Sequence, residues 1–391
     1  LQKTADVGNG LFFQSNNAED LSDAIIKALT DIINKTQAFT SATVPASRTT
    51  DGDNFYASFF LPKASSPFWE GHLKNFGFSA TGDIVTPPDG GGQERCATGP
   101  DVTAVPPCGS GILRSFETAY WDIATSVPDP ADRKLFVEFG ATPILDQPPK
   151  LEFATPANPE ISVNGTNVDA ETAFNIIDNV DELDEPYASL TNKDPEDIVV
   201  ALEQALRGCE FGSSPCEQRT NDAGEKVYMG DIFHSNPVVV GSPNSAVNES
   251  SYHVFAANKR TRTRVIYAGA NDGFLHAFNA GAWQTTKPDG FGGTVPLNPP
   301  RHDRGTGEEL FGFMPWQVRT TVKNLPKQTT FPRRFETVDG SPIVADTWHY
   351  RNVVSGAMTT TNPVLTPDDN EDLRWRTVLL GGLRDGGSSY Y

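Results

Sequence analysis

The chain has 391 residues, 31 basic against 50 acidic, for a formal charge of −19. That balance argues against a nucleic-acid binder, which needs clustered Lys and Arg to neutralise phosphates, and equally against docking on an anionic lipid surface. A hydrophobic share of 37% with 24 Phe supplies real cores and excludes global disorder, while 34 Gly and 30 Pro point to many turns and short strands. No apolar run approaches the roughly 18 residues that cross a bilayer. The chain opens on Leu1 without a signal peptide, as expected of a processed or excerpted sequence, so targeting segments tell nothing about where it works.

In chain order, GLFFQSNNAEDLSDAIIKALTDIINKT is predicted to be a strand followed by an amphipathic helix. Asn17 is placed to cap it, Glu19 and Asp20 sit at the positive end of the dipole, and Leu21, Ala24, Ile25, Ala28, Leu29 and Ile32 form one apolar face. From about Ala38 the pattern turns to β. NFYASFFLP alternates around Tyr56, Phe59 and Leu61, WEGHLKNFGF continues in the same style, FETAYWDIATS suggests a short helix and RKLFVEFG a strand. Residues 159–227 are acidic and partly helical. In DPEDIVVALEQALRG, Asp194 is the cap, Pro195 the first helical residue and Gly208 the stop. DNVDELDEP just upstream is a solvated charge run.

Four cysteines form two local pairs, Cys96 with Cys108 across a Pro/Gly-rich loop and Cys209 with Cys216. Neither pair has CxxC spacing and no His lies close in sequence, which disfavours zinc. Loop-stapling disulfides, formed in an oxidising compartment, are the leading expectation, with free thiols as the alternative.

The last third carries the main signal. HSNPVVVG, RVIYAGA, FLHAFNA and EELFGFMP are four strand candidates in a row, and Asn271-Asp272-Gly273 is a hairpin turn between the second and third. Such a meander is one blade of a β-propeller. The pattern then restarts: GSPIVADTW repeats SNPVVVG, and WRTVLLGGLRDGGSSYY repeats RVIYAGANDGFLHAF, with Asp385-Gly386 in the place of Asp272-Gly273. The offset is 105 residues from Pro237 to Pro342 and 113 from Asp272 to Asp385. An internal repeat outranks local propensity. The length of the offset implies an insertion at about 282–335. One to two blades are far short of a ring, so either the chain continues beyond Tyr391 or another chain completes it.

GDIFHSNPVVVG, RVIYAGANDGFLHAFNAG, TGEELFGFMP, DGSPIVAD and WRTVLLGGLRDGG resemble, in this order, the C-terminal propeller of the PilY-type family, the type IV pilus tip-associated adhesins and biogenesis factors. Residues 1–38 resemble the last strand and helix of a von Willebrand factor type A domain. Residues 39–158 are similar to the family's β-rich connector, 159–227 form the acidic linker and 228–391 the first blades. The fold class expected is mainly β with some α: an incomplete quinoprotein-like propeller, a connector and the end of an α/β type A domain. The resemblance implies a secreted protein displayed at a pilus tip, minor pilins as partners, and a host or abiotic surface as ligand. Contact is expected from residues 282–335 and the Cys96–Cys108 loop.

The family's calcium loop, an Asp-rich D-x-D-x-D-G pattern, is absent. DDNEDL offers Asp368, Asn370 and Asp372 but lacks the sixth-position Gly and the Glu at position twelve, so an acidic loop is the simpler expectation. No cofactor is expected in this segment, and calcium is left to parts of the protein outside it. His234 beside the Ser235-Asn236-Pro237 corner and His276 on the FLHAF strand are expected to be packed, hydrogen-bonded residues rather than ligands or bases. With Ser341, Pro342, Asp385 and Gly386 they count as architecture. No HExxH, G-x-S-x-G or Walker loop is present. Two other classes remain as rivals. A quinoprotein-like oxidoreductase would need a stacking Trp, a base and calcium ligands from several blades, whereas Trp283, Trp316, Trp348 and Trp375 lie near blade edges or in the insertion. A structural subunit of a surface filament is the third.

Overall fold

The computed structural model describes residues 54–61, 68–88, 93–98, 104–108, 118–137, 195–213, 216–221, 224–243, 247–289, 292–325, 335–348 and 375–391. It adds single residues 113 and 174 and the backbone of short strands at 38–43, 151–152, 161–163 and 166–168. The described chain is mainly β-strand with few helices. All of the expected type A segment (1–38) but Ala38, which begins a strand, and the Asp368–Asp372 loop lie outside the described residues.

The first sheet is built by β1 (Ala38–Thr43), β2 (Asn54–Leu61) and β3 (Glu70–Phe78), paired antiparallel in that order. The two-residue strands β4 (Ile84–Val85) and β5 (Trp121–Asp122) both join β3. Asp122 then caps a single turn, α1 (Ile123–Ser126), by accepting the Ala124 N–H. The helix α2 (Pro195–Arg207) forms where the Pro195 and Gly208 signals place it, and Gly208 leaves it at φ +113°.

The second sheet follows the order β10 (Val238–Val240), β11 (Arg264–Gly269), β12 (Leu275–Gly281) and β15 (Glu309–Met314), antiparallel throughout. A fifth strand, β6 (Leu135–Val137), comes from far upstream and pairs parallel with β15. Two smaller sheets stand apart: β7 (Leu151–Glu152), β8 (Ile161–Val163) and β9 (Thr166–Val168) make a three-stranded one, and β13 (Trp283–Pro288) and β14 (Thr294–His302) pair as a hairpin. Of the stretch 282–335 expected to be an insertion, the β13–β14 hairpin projects from the sheet, whereas β15 is one of the sheet's own strands.

Two cores hold these layers. Tyr56, Leu73 and Trp121 of the first sheet pack on Ile266, Ala268 and Phe278 of the second. Beyond β15 and β6, the apolar stripe of α2 (Ile198, Leu202, Ala205, Leu206) meets Leu135, Phe274, Met314 and Leu383. A helix absent from the sequence expectations, α3 (Ser250–Lys259), buries Tyr252 and Phe255 against Trp375 of the last hairpin.

That hairpin pairs β16 (Ile343–Trp348) with β17 (Trp375–Leu380). Its register repeats that of β10 and β11: Val238 faces Tyr267 as Ile343 faces Leu380, and Val239 faces Ile266 as Val344 faces Leu379. Adding 105 to the first partner and 113 to the second carries each pair onto its counterpart, so the repeat in the sequence is a repeat of strand pairing.

Candidate functional site

The Asn271-Asp272-Gly273 turn joins β11 to β12, with Gly273 at φ +104°, where an L side chain is strained. The Asp272 side chain stays inside. Its Oδ2 accepts the Gly230 N–H at 2.9 Å, and its Oδ1 lies 3.0 Å from His276 Nε2. His276 is fully buried, and its Nδ1 lies 2.7 Å from Glu309 Oε1 on the neighbouring strand. Arg133 closes the chain with a bidentate pair to Glu309 at 2.7 and 2.8 Å. Its Nη1 donates to the carbonyls of Arg207, Leu206 and Tyr228, two of which end α2. One line of buried charge thus ties the turn, two strands and a helix end.

Burial alone would lower the pKa of His276, but the Asp272 and Glu309 carboxylates outweigh it and raise it to about 9. Burial would raise Glu309, yet Arg133 and His276 hold it at about 2. Asp272 is likewise held below its ordinary value, chiefly by His276 acting against burial. All four groups are charged at neutral pH and each is paired within the network.

The other residues of the repeated corners make contacts both within a repeat and from one repeat to the next. Ser235 Oγ accepts the Gly269 N–H at 2.9 Å beneath the corner that ends in Pro237. Asn271 donates to Asp231 at 2.9 Å and accepts the Thr337 N–H of the following repeat at 3.0 Å. Ser341, just before Pro342, accepts the Asn236 N–H at 2.9 Å. His234 Nδ1 lies 2.6 Å from Asp339 Oδ2, and Asp385 of the second turn is 3.8 Å away. Gly386 follows in a 3-10 turn (Arg384–Gly386) and donates to Leu383 O.

Arg304 carries one segment expected to make outward contacts, 282–335, to Glu94, two residues before the other begins at Cys96. Cys96 is bonded to Cys108, and Cys209 to Cys216. Just after β14, Arg304 stacks on Tyr120, lies 3.7 Å from Glu94 at the entry to the first disulfide loop, and donates to Asn54 Oδ1. The Arg304 carbonyl accepts from Asn75 and from the Trp121 indole. A cleft of about 440 Å³ opens there, with Gln284, Thr286, Lys287 and Arg301 of the hairpin facing Asn54 and Arg304. No spacing in the sequence foretold this junction, since Arg304 meets partners some 200 residues upstream.

Two curated relatives match substantial parts of the chain. One is the type IV pilus biogenesis factor PilY1 homolog of Xylella fastidiosa, 29% identical over 170 residues, 42% of this chain and 10% of the relative. The other is the type IV pilus biogenesis factor PilY1 of Pseudomonas aeruginosa strain PAK, 27% identical over 210 residues, 51% of this chain and 14% of the relative. These relatives support a PilY1-type family. The matches span no more than about a seventh of the length of those PilY1 proteins. No family model and no solved structure matches the chain. The PilY-type resemblance therefore stands on sequence relatives as well as on the quoted motifs. Among the described residues, no helix is long and apolar enough to cross a membrane.

Proposed function

We propose that this chain is part of a type IV pilus-associated protein that supports pilus assembly and presents surface loops for attachment, without catalysing a reaction. In this reading the β10–β11–β12–β15 sheet is the first blade of a propeller and the β16–β17 hairpin opens the second. The strongest support is the conserved pairing register between the repeats, together with PilY1 relatives at 27–29% identity. A stack of like sheets makes a rigid base, and loops on a rigid base are where recognition usually lives. The β13–β14 hairpin and the Cys96–Cys108 loop, joined through Arg304, are the presenting surface. Minor pilins are the partners and the cell surface is the location.

The buried histidine network supports the non-enzymatic part of the reading, because its charges are spent on one another. The test is deletion of residues 284–301 from the full-length protein in its own bacterium. Sheared surface pilin should persist while attachment to a surface falls severalfold. Unchanged attachment would remove the hairpin from the presenting role. Gold labelling along the shaft instead of at the tip would favour a filament subunit.

A further inference from the structure

We propose a divalent-cation site of the zinc type at the junction of the two repeats, formed by His234, Asp339 and Asp385. One ligand atom from each lies within 4.8 Å of the others, drawn from three separate stretches of the chain. His234 Nδ1 is 2.6 Å from Asp339 Oδ2 and 3.8 Å from Asp385 Oδ2. Ligands around a tetrahedral ion with bonds of about 2.0–2.1 Å stand roughly 3.3 Å apart, so the two separations bracket what such an ion requires. A small opening of the His234–Asp339 pair and an inward turn of Asp385 would admit it.

The second observation concerns Asp339. Its side chain is wholly inaccessible, and its Oδ1 is buried without a hydrogen-bond partner. A buried carboxylate oxygen left unpaired is unfavourable, and a cation chelated by both Asp339 oxygens would satisfy it. An imidazole nitrogen among the ligands favours zinc and its first-row neighbours over calcium, which takes oxygen donors. The outer side is open: Asp385 is 59% exposed, and a cleft of about 440 Å³ lined by Ser341, Arg384 and Ser389 adjoins it. Arg384 Nη1, 3.7 Å from Asp339 Oδ2 and half exposed, is a competing cation that must swing into solvent when the metal enters.

The positions also follow from the repeat. Asp339 occupies the place of His234 under the 105-residue offset, and Asp385 that of Asp272 under the 113-residue offset. In the first repeat the turn aspartate is satisfied internally by Gly230 and His276. In the second, Ser389 stands where His276 would, and Asp385 is left at the surface facing the junction. This inference is independent of the pilus reading.

The test is calorimetric titration of the full chain with ZnCl2, with thermal unfolding followed in parallel. The wild type should bind one equivalent that raises its melting temperature and is removed by a chelator. Asp385→Asn, at an exposed position that keeps the apo fold, should weaken that equivalent at least about tenfold, and His234→Gln should abolish it. Arg384→Gln should bind more tightly than the wild type. Absence of a saturable equivalent, equal binding by Asp385→Asn, or a preference for Ca2+ over Zn2+ would overturn the assignment. Should His234→Gln not fold, the Asp385→Asn comparison decides alone.

Discussion

In the first repeat, residues 230–281, the corner and the turn close over buried charge. Asp272 points inward, His276 is sealed between two carboxylates, and Ser235 is inaccessible. In the second, residues 335–391, the same strand register carries a different interior. Asp385 is mostly exposed, Ser389 replaces the histidine, and the turn is longer, since Leu383 donates to Ser389 O where Ala270 donates to Phe274 O. The β10–β11 pairing is thus reproduced in β16–β17 although Ser389 stands where the histidine does. What the network adds is attachment: Arg133 and α2 are fixed to the first repeat through Glu309 and the last carbonyls of the helix. Removing charge from each repeat in turn measures that difference.

The largest contrast is expected between Glu309→Gln and Asp385→Asn. The first leaves Arg133 and His276 as buried cations without their shared carboxylate and should cost about 3–5 kcal/mol in urea unfolding. The second, in metal-free buffer, should stay within about 0.5 kcal/mol. Equal losses would mean that Asp385 is held as firmly as Glu309 and would erase the distinction between the repeats.

A smaller contrast lies in pH. The folded pKa of His276, about 9, is above its ordinary value near 6.5, so its contribution is full below pH about 6.5 and disappears as pH rises through 9. Glu309, held at about 2, contributes above pH about 4.5 and loses that contribution as pH falls towards 2. The stability difference between wild type and His276→Gln should therefore be greatest near pH 5–6 and shrink steadily by pH 9. His72, raised to about 9 because Asp122 and Glu70 outweigh its burial, gives the first sheet a parallel alkaline loss, and the difference between variants removes it. A difference that is flat from pH 5 to 9.5 would show that the His276 ring acts by packing alone.

Legibility in the sequence followed the range of each interaction. Local chemistry was visible: the Asp-Gly turn, the Pro195 and Gly208 limits of α2, the alternating strands and the repeat. The α3 helix was not, because its sequence SSYHVFAANK has little amphipathic pattern and its burial depends on Trp375, more than a hundred residues away. The β13–β14 hairpin was hidden by Pro296, Pro299 and Pro300, which suit a projecting two-stranded ribbon but argue against a strand inside a sheet. The partner of His234 was hidden for a related reason. Its partner Asp339 is defined only once the second corner has folded against the first, and neither neighbour in sequence announces it.

The finest test uses the two serines that precede the repeated prolines. Ser235 Oγ lies under the sheet, and replacing it with Ala leaves the Gly269 N–H buried without that acceptor, at a cost of about 1–3 kcal/mol. Ser341 is exposed, so water can take over the Asn236 N–H in Ser341→Ala, and the expected loss is about 0.5 kcal/mol or less. The two are alike in their backbone neighbourhood, a Ser before or near a Pro at the start of a repeated strand, and differ in access to water. If the losses come out in that order, burial rather than sequence pattern sets the strength of each corner. If Ser341→Ala costs as much, the junction between repeats is drier than its exposed corner implies, and the second hairpin is held to the first more tightly than its own charges require.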